Sequence, residues 1–120
     1  MSGMLTTHVL DLTHGLPADQ MQIQVWYLDN PGGERTLLKT VRTGPNGRPD
    51  TPLLADDEMK AGTYELLFSV GEYFSTQAVT TSLPPFLDLV PIRCGLADSS
   101  VHYHVPLLVS PWAYSTYRGS

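Results

Sequence analysis

A single cysteine, Cys94, stands among 120 residues, so no disulfide can close within the chain and a reducing setting is expected. Charge is scarce as well. Asp, Glu, Lys and Arg together make up 16% of the sequence, the seven basic residues are scattered, and the formal net charge is −5. A clustered basic footprint of the kind nucleic-acid binding needs is therefore missing. No apolar run approaches the roughly 20 residues that span a bilayer. The opening MSGMLTTHVLD has neither the basic start nor the apolar stretch of a secretory leader, and the closing Arg-Gly-Ser is not the Ser-Lys-Leu peroxisomal address. These absences predict a cytoplasmic protein with no membrane and no nucleic-acid partner. Small domains that stand alone usually carry more charge, so part of this surface is expected to be covered by another subunit.

What is present points to β-structure. Ten glycines and ten prolines punctuate a sequence that is 42% hydrophobic, a pattern of short strands and turns within one domain, residues 1–120. Residues 4–11 read as a strand with Thr6, His8 and Leu10 on one face, because side chains alternate along a strand. Residues 21–29 alternate more cleanly, and 36–43 read as their return partner after the Asn-Pro-Gly-Gly turn. The run 44–50, Gly-Pro-Asn-Gly-Arg-Pro-Asp, is a loop that presents Arg48 on an exposed bend. Acids first, a lysine near the end and Gly62 just after give 56–61 the marks of a short helix. Residues 63–70 form another alternating strand, and 72–85 read as an extended loop. The run 86–94 is apolar on both faces and contains Pro91, which predicts an edge strand covered by a second subunit. In 101–109, Val101, Tyr103, Val105, Leu107 and Val109 share one face while His102 and His104 share the other. A last strand follows at 112–118. Seven or eight strands with one brief helix make a β-sandwich the leading architecture.

The residues alone leave the chemistry open. His104 is either a solvent-facing polar residue or a general acid or base. His102, two residues earlier on that face, gives a His-x-His spacing that suits zinc if His8 joins it, but no carboxylate or thiolate cluster with ligand spacing accompanies it. His8 and Arg48 are each unremarkable in isolation, and His14 sits in a turn as a surface residue. Ser115, Thr116 and Tyr117 fit ordinary strand positions. There is no Gly-x-Ser-x-Gly elbow and no phosphate-binding glycine loop, and nothing marks Cys94 as a reactive thiol.

Three stretches go further: His8-Val9-Leu10-Asp11 with Gly15-Leu16-Pro17-Ala18, the turn ending Asn46-Gly47-Arg48, and the closing Tyr114-Ser115-Thr116-Tyr117-Arg118-Gly119-Ser120. Together with His-Tyr-His-Val-Pro-Leu-Leu at 102–108, they resemble the 5-hydroxyisourate hydrolases of the transthyretin family. The resemblance implies an all-β, transthyretin-like eight-stranded sandwich with one short helix. It also implies a homotetramer, a dimer of dimers, with active sites in the channel between dimers. Carried over by position, His8, Arg48 and His104 are the catalytic residues. His8, Arg48, Tyr117, Arg118 and Ser120 contact substrate, and His102 stays outside the set. Neither cofactor nor metal is implied. A transthyretin-like carrier of a small aromatic ligand is the alternative within the same fold.

Overall fold

Two β-sheets enclose a core to which both contribute, in a computed structural model that describes residues 3–30 and 33–119. In chain order the strands are β1 (Met4–Asp11), β2 (Leu16–Pro17), β3 (Gln22–Leu28), β4 (Arg35–Arg42), β5 (Leu54–Ala55), β6 (Gly62–Ser69), β7 (Leu89–Leu96), β8 (His102–Val109) and β9 (Tyr114–Thr116). One sheet runs β2-β1-β8-β9, with β5 also on β1; the other runs β4-β3-β6-β7. The expected sandwich is thus present, and the two-residue strands β2 and β5 are short additions along the β1 edge.

Alternation explains why the sheets pack. Leu5 and Val9 of β1 and Leu107 and Val109 of β8 are fully buried against Ile23 and Val25 of β3 and Leu66 and Phe68 of β6. The opposite faces of β1 and β8 carry Thr6, His8, His102 and His104, which are exposed or half-buried. The decisive pairing is that of β1 with β8. It is parallel, with Thr6 opposite His104 and His8 opposite Pro106, so one face of this pair gathers His8 with His104 and His102. Pro91 lies on β7, the edge of its sheet, where its missing donor costs no central hydrogen bond.

Four elements differ from expectation. Residues 56–61 form only a 3-10 turn at Asp56–Glu58; six residues with helix-end signals are too few to offset nucleation without packing. The α-helix, α1 (Val70–Ser75), lies where β6 was expected to end and an extended loop to begin. It buries Val70, Tyr73 and Phe74, and its Gly71 N–H donates to the Asp88 carbonyl at 2.9 Å. The strand expected at 86–94 runs from Leu89 to Leu96, and that expected at 112–118 is confined to Tyr114–Thr116. No helix among the described residues is long and apolar enough to cross a membrane.

Candidate active site

The loop between β4 and β5 is laid by main-chain bonds along the edge of β1 that also carries β2 and β5. Val9 N–H donates to Gly47 O at 2.9 Å, and Leu53 N–H donates to Leu5 O at 2.8 Å. Between those two ties the loop must bend tightly. Gly47 N–H donates to Gly44 O, Gly44 N–H to Arg48 O, and Arg48 N–H to Asn46 Oδ1 at 3.0 Å. Gly47 has φ 77°, and a side chain there would meet Val9 O at 2.5 Å and the His8 ring at 3.0 Å. Glycine satisfies both conditions, the left-handed backbone and the close approach. Arg48 follows it, exposed, beside the histidine face. Thr6, Arg48, Asp50 and Pro52 line a cavity of about 180 Å³ along this edge.

His8 and His104 respond to the same surroundings. Burial is the first cause holding each imidazole below its ordinary value, and the Arg48 guanidinium adds to it at both rings. A backbone hydrogen bond at Asn46 opposes the shift at His8, while the proximity of His8 reinforces it at His104. Both effects disfavour the imidazolium, so each ring is biased toward the neutral form that can accept a proton. His104 Nδ1 lies 2.8 Å from Thr6 Oγ1. Its main chain is tied to the end of the described chain, since Gly119 N–H donates to His104 O at 2.7 Å. A side chain at Gly119 would meet His104 Cδ2 at 2.6 Å. Each of the two rings is therefore backed by a glycine.

The structure brings His8, Arg48 and His104 together and leaves other expected residues apart. The Arg118 guanidinium sits 4.5 Å over the Tyr103 ring, and Tyr103 alternates to the face of β8 opposite His104. Arg118 and Tyr117 line a cavity of about 300 Å³ with Ile92, Cys94, Tyr103 and Val105. Burial pushes the Cys94 thiol up to about 11, consistent with an inert, packed side chain. Ser120 lies outside the described residues. His102 is exposed on the histidine face, and among the described residues no group of three His, Cys, Asp or Glu side chains is placed to hold a metal ion.

Two features were not read from the sequence. Thr6 was placed on the His8 face, yet its contact with a residue 98 positions away has no local signal. His14, expected to be a plain surface residue, has Nδ1 2.6 Å from Oδ2 of the buried Asp11. Asp11 also accepts the Tyr73 hydroxyl at 2.7 Å and the Thr13 N–H at 2.9 Å. Burial by itself would raise the Asp11 carboxyl, but the bonds from His14 and Tyr73 outweigh it and hold the group below its ordinary range.

Comparison with known proteins adds the following. The model of the HIUase/Transthyretin family matches residues 5–119. A protein of Mesorhizobium japonicum named 5-hydroxyisourate hydrolase is 55% identical over 118 residues, covering 98% of this chain and 93% of its own. A crystal structure of (S)-allantoin synthase superposes with a TM-score of 0.92 at 45% identity; it covers 99% of this chain, which spans only 44% of that longer one. Transthyretin from Sparus aurata superposes with a TM-score of 0.83 at 26% identity over 96% of this chain and 95% of its own.

Proposed function

The chain belongs to the HIUase/transthyretin family, and from that membership we propose that it hydrolyses 5-hydroxyisourate to 2-oxo-4-hydroxy-4-carboxy-5-ureidoimidazoline in the breakdown of urate. The observation that carries this reading is the meeting of His8, His104 and Arg48 along β1 and β8, with burial and the guanidinium both biasing the two imidazoles toward the neutral form.

Opening the six-membered ring requires attack of water on a ring carbonyl and departure of a ring nitrogen. The site must supply a base for the water, a donor for the developing oxyanion and an acid for the leaving nitrogen. His104 takes the water proton, which forms an imidazolium. His8 relays a proton toward the leaving nitrogen. Arg48 keeps both rings unprotonated when free and offers its fork of N–H donors to the anionic substrate's oxygens. No cofactor or metal enters this scheme. Ser120 is proposed to complete the pocket in a cytoplasmic homotetramer, where the histidine face lines a channel between dimers; Tyr117 and Arg118, turned toward Tyr103 within the chain, are left out of it.

The test follows the ultraviolet decay of freshly prepared 5-hydroxyisourate. The wild-type protein is expected to accelerate the decay, and His104→Asn and Arg48→Glu to remove the acceleration. Positioned acid-base groups supply ~10²–10⁴-fold, so losses of only a few-fold would sink these assignments. The shared transthyretin fold keeps a carrier reading in view; tight binding of a thyroid-hormone-like aromatic without hydrolysis would favour it.

A further inference from the structure

We propose that Thr6 is a positioning residue for His104: its hydroxyl holds the ring in one orientation and one tautomer, with Nδ1–H directed at Thr6 and the Nε2 lone pair left for the substrate water. This rests on the hydrolytic reading above and extends it to a residue that touches the base and not the substrate.

The placement follows from strand register. In the parallel β1–β8 pair Thr6 is directly opposite His104, and the two side chains meet on the same face with Oγ1 2.8 Å from Nδ1. The neighbouring threonine shows the contrast. Thr7 points to the core, is 2% exposed, and donates its hydroxyl to Val105 O at 2.6 Å. Thr7 thus ties one backbone to another. Thr6 spends its hydroxyl on an imidazole.

A hydroxyl suits this position better than a carboxylate does. A carboxylate orients a histidine strongly but also favours its protonated form, which would oppose burial and Arg48. A neutral hydroxyl fixes the ring without adding negative charge. The same contact also survives the proton transfer. Neutral His104 donates Nδ1–H to Oγ1; after Nε2 takes the water proton, Nδ1–H still donates to Oγ1. The hydroxyl therefore need not reorganise as the ring becomes charged. The charged and titratable groups acting on His104 are Arg48 and His8, whereas the hydrogen-bond partner at Nδ1 is the Thr6 hydroxyl.

The experiment uses the full-length wild-type protein with Thr6→Val and Thr6→Ser. Nitrogen-15 NMR of the imidazoles, without substrate, reads the tautomer of His104. Hydrolysis of 5-hydroxyisourate reads kcat and KM separately. Wild type and Thr6→Ser are expected to hold His104 as the Nδ1–H form. Thr6→Val is expected to mix the tautomers and to lower kcat about 10–100-fold, by analogy with the loss when the partner orienting a metal-bound histidine is removed, with KM little changed. Serine is expected to restore most of that loss. A wild-type His104 found as the Nε2–H tautomer would overturn the proposal, even if Thr6→Val failed to fold. So would a folded Thr6→Val with wild-type kcat. A wild type that does not hydrolyse 5-hydroxyisourate would defeat the functional reading instead, and the spectrum would still decide the role of Thr6.

Discussion

At His8 and His104, burial comes first and the Arg48 charge second among the causes that lower the imidazole below its ordinary value of 6.5. The sign is fixed by this: if the neutral rings are the active forms, activity persists below pH 6.5 and fails only as pH falls through the lowered values. Arg48→Gln removes the second of these causes and leaves burial in place, so the acid limb of kcat/KM should move to higher pH but stop short of the ordinary value. NMR titration of the two rings checks the same shift if the variant is too slow for kinetics. A limb that moves to lower pH would contradict the electrostatic role of Arg48. Gly119 offers a second test at this scale. A methyl group there would sit 2.6 Å from His104 Cδ2, so Gly119→Ala must displace the ring or the chain behind it. Displacements near 1 Å can cost ~10²-fold in rate, and steady-state hydrolysis by this variant is expected to fall by about that much, with little change in thermal stability. The sequence placed Gly119 in a recognisable motif; that it gives room to a histidine became visible only with β8 beside it.

Among the elements, α1 is the helix that local sequence did not reveal. Its six residues continue directly from a strand, its N-terminal Ser69 makes no side-chain cap, and Gly71 lowers helix propensity. Tertiary contacts hold it instead: Tyr73 and Phe74 are buried, and Tyr73 reaches Asp11 at the end of β1. That hydroxyl meets a buried carboxylate, and both burial and Asp11 push the Tyr73 phenol well above its ordinary value. Hydrogen bonds to charged groups contribute about 1.5–3 kcal/mol, so Tyr73→Phe should lower unfolding free energy by roughly that amount, measured as a lower urea midpoint. An unchanged midpoint would mean the bond to Asp11 contributes nothing to holding α1. By contrast, 56–61 carries the charge and glycine signals of a helix yet forms a single 3-10 turn. The Glu58 carboxylate pairs with Lys39 of β4 at 2.7 Å, and Gly62 has φ 151° with the Tyr27 ring packed where a side chain would stand. Packing decided both outcomes against the local preference.

At the scale of the molecule, large apolar side chains remain on the surface of the single chain: Leu16 is 61% exposed, Phe86 69%, Leu89 52% and Trp112 55%. Phe86 and Trp112 stack with ring centroids 6.0 Å apart, and β4 and β7 are open edges of their sheet. Exposed apolar surface beside unpaired strand edges favours association, in keeping with the proposed tetramer. Sedimentation equilibrium is expected to return four times the chain mass at micromolar concentration. A single-chain mass together with full hydrolytic activity would show that the site is complete without a partner.

The sequence by itself determined which residues face the core and which face away, because alternation along each strand is a local property of extended backbone. It also determined the bend that exposes Arg48, since Gly-Pro-Asn-Gly admits little else, and through its motifs it pointed to the family. What only the tertiary structure decided is adjacency. That β1 pairs in parallel with β8, that Thr6 falls opposite His104, and that the Arg48 loop binds the remaining edge of β1 depend on how two whole sheets bury one core. Burial is satisfied globally and no short stretch carries it. The histidine face was legible residue by residue; its assembly into a site was not.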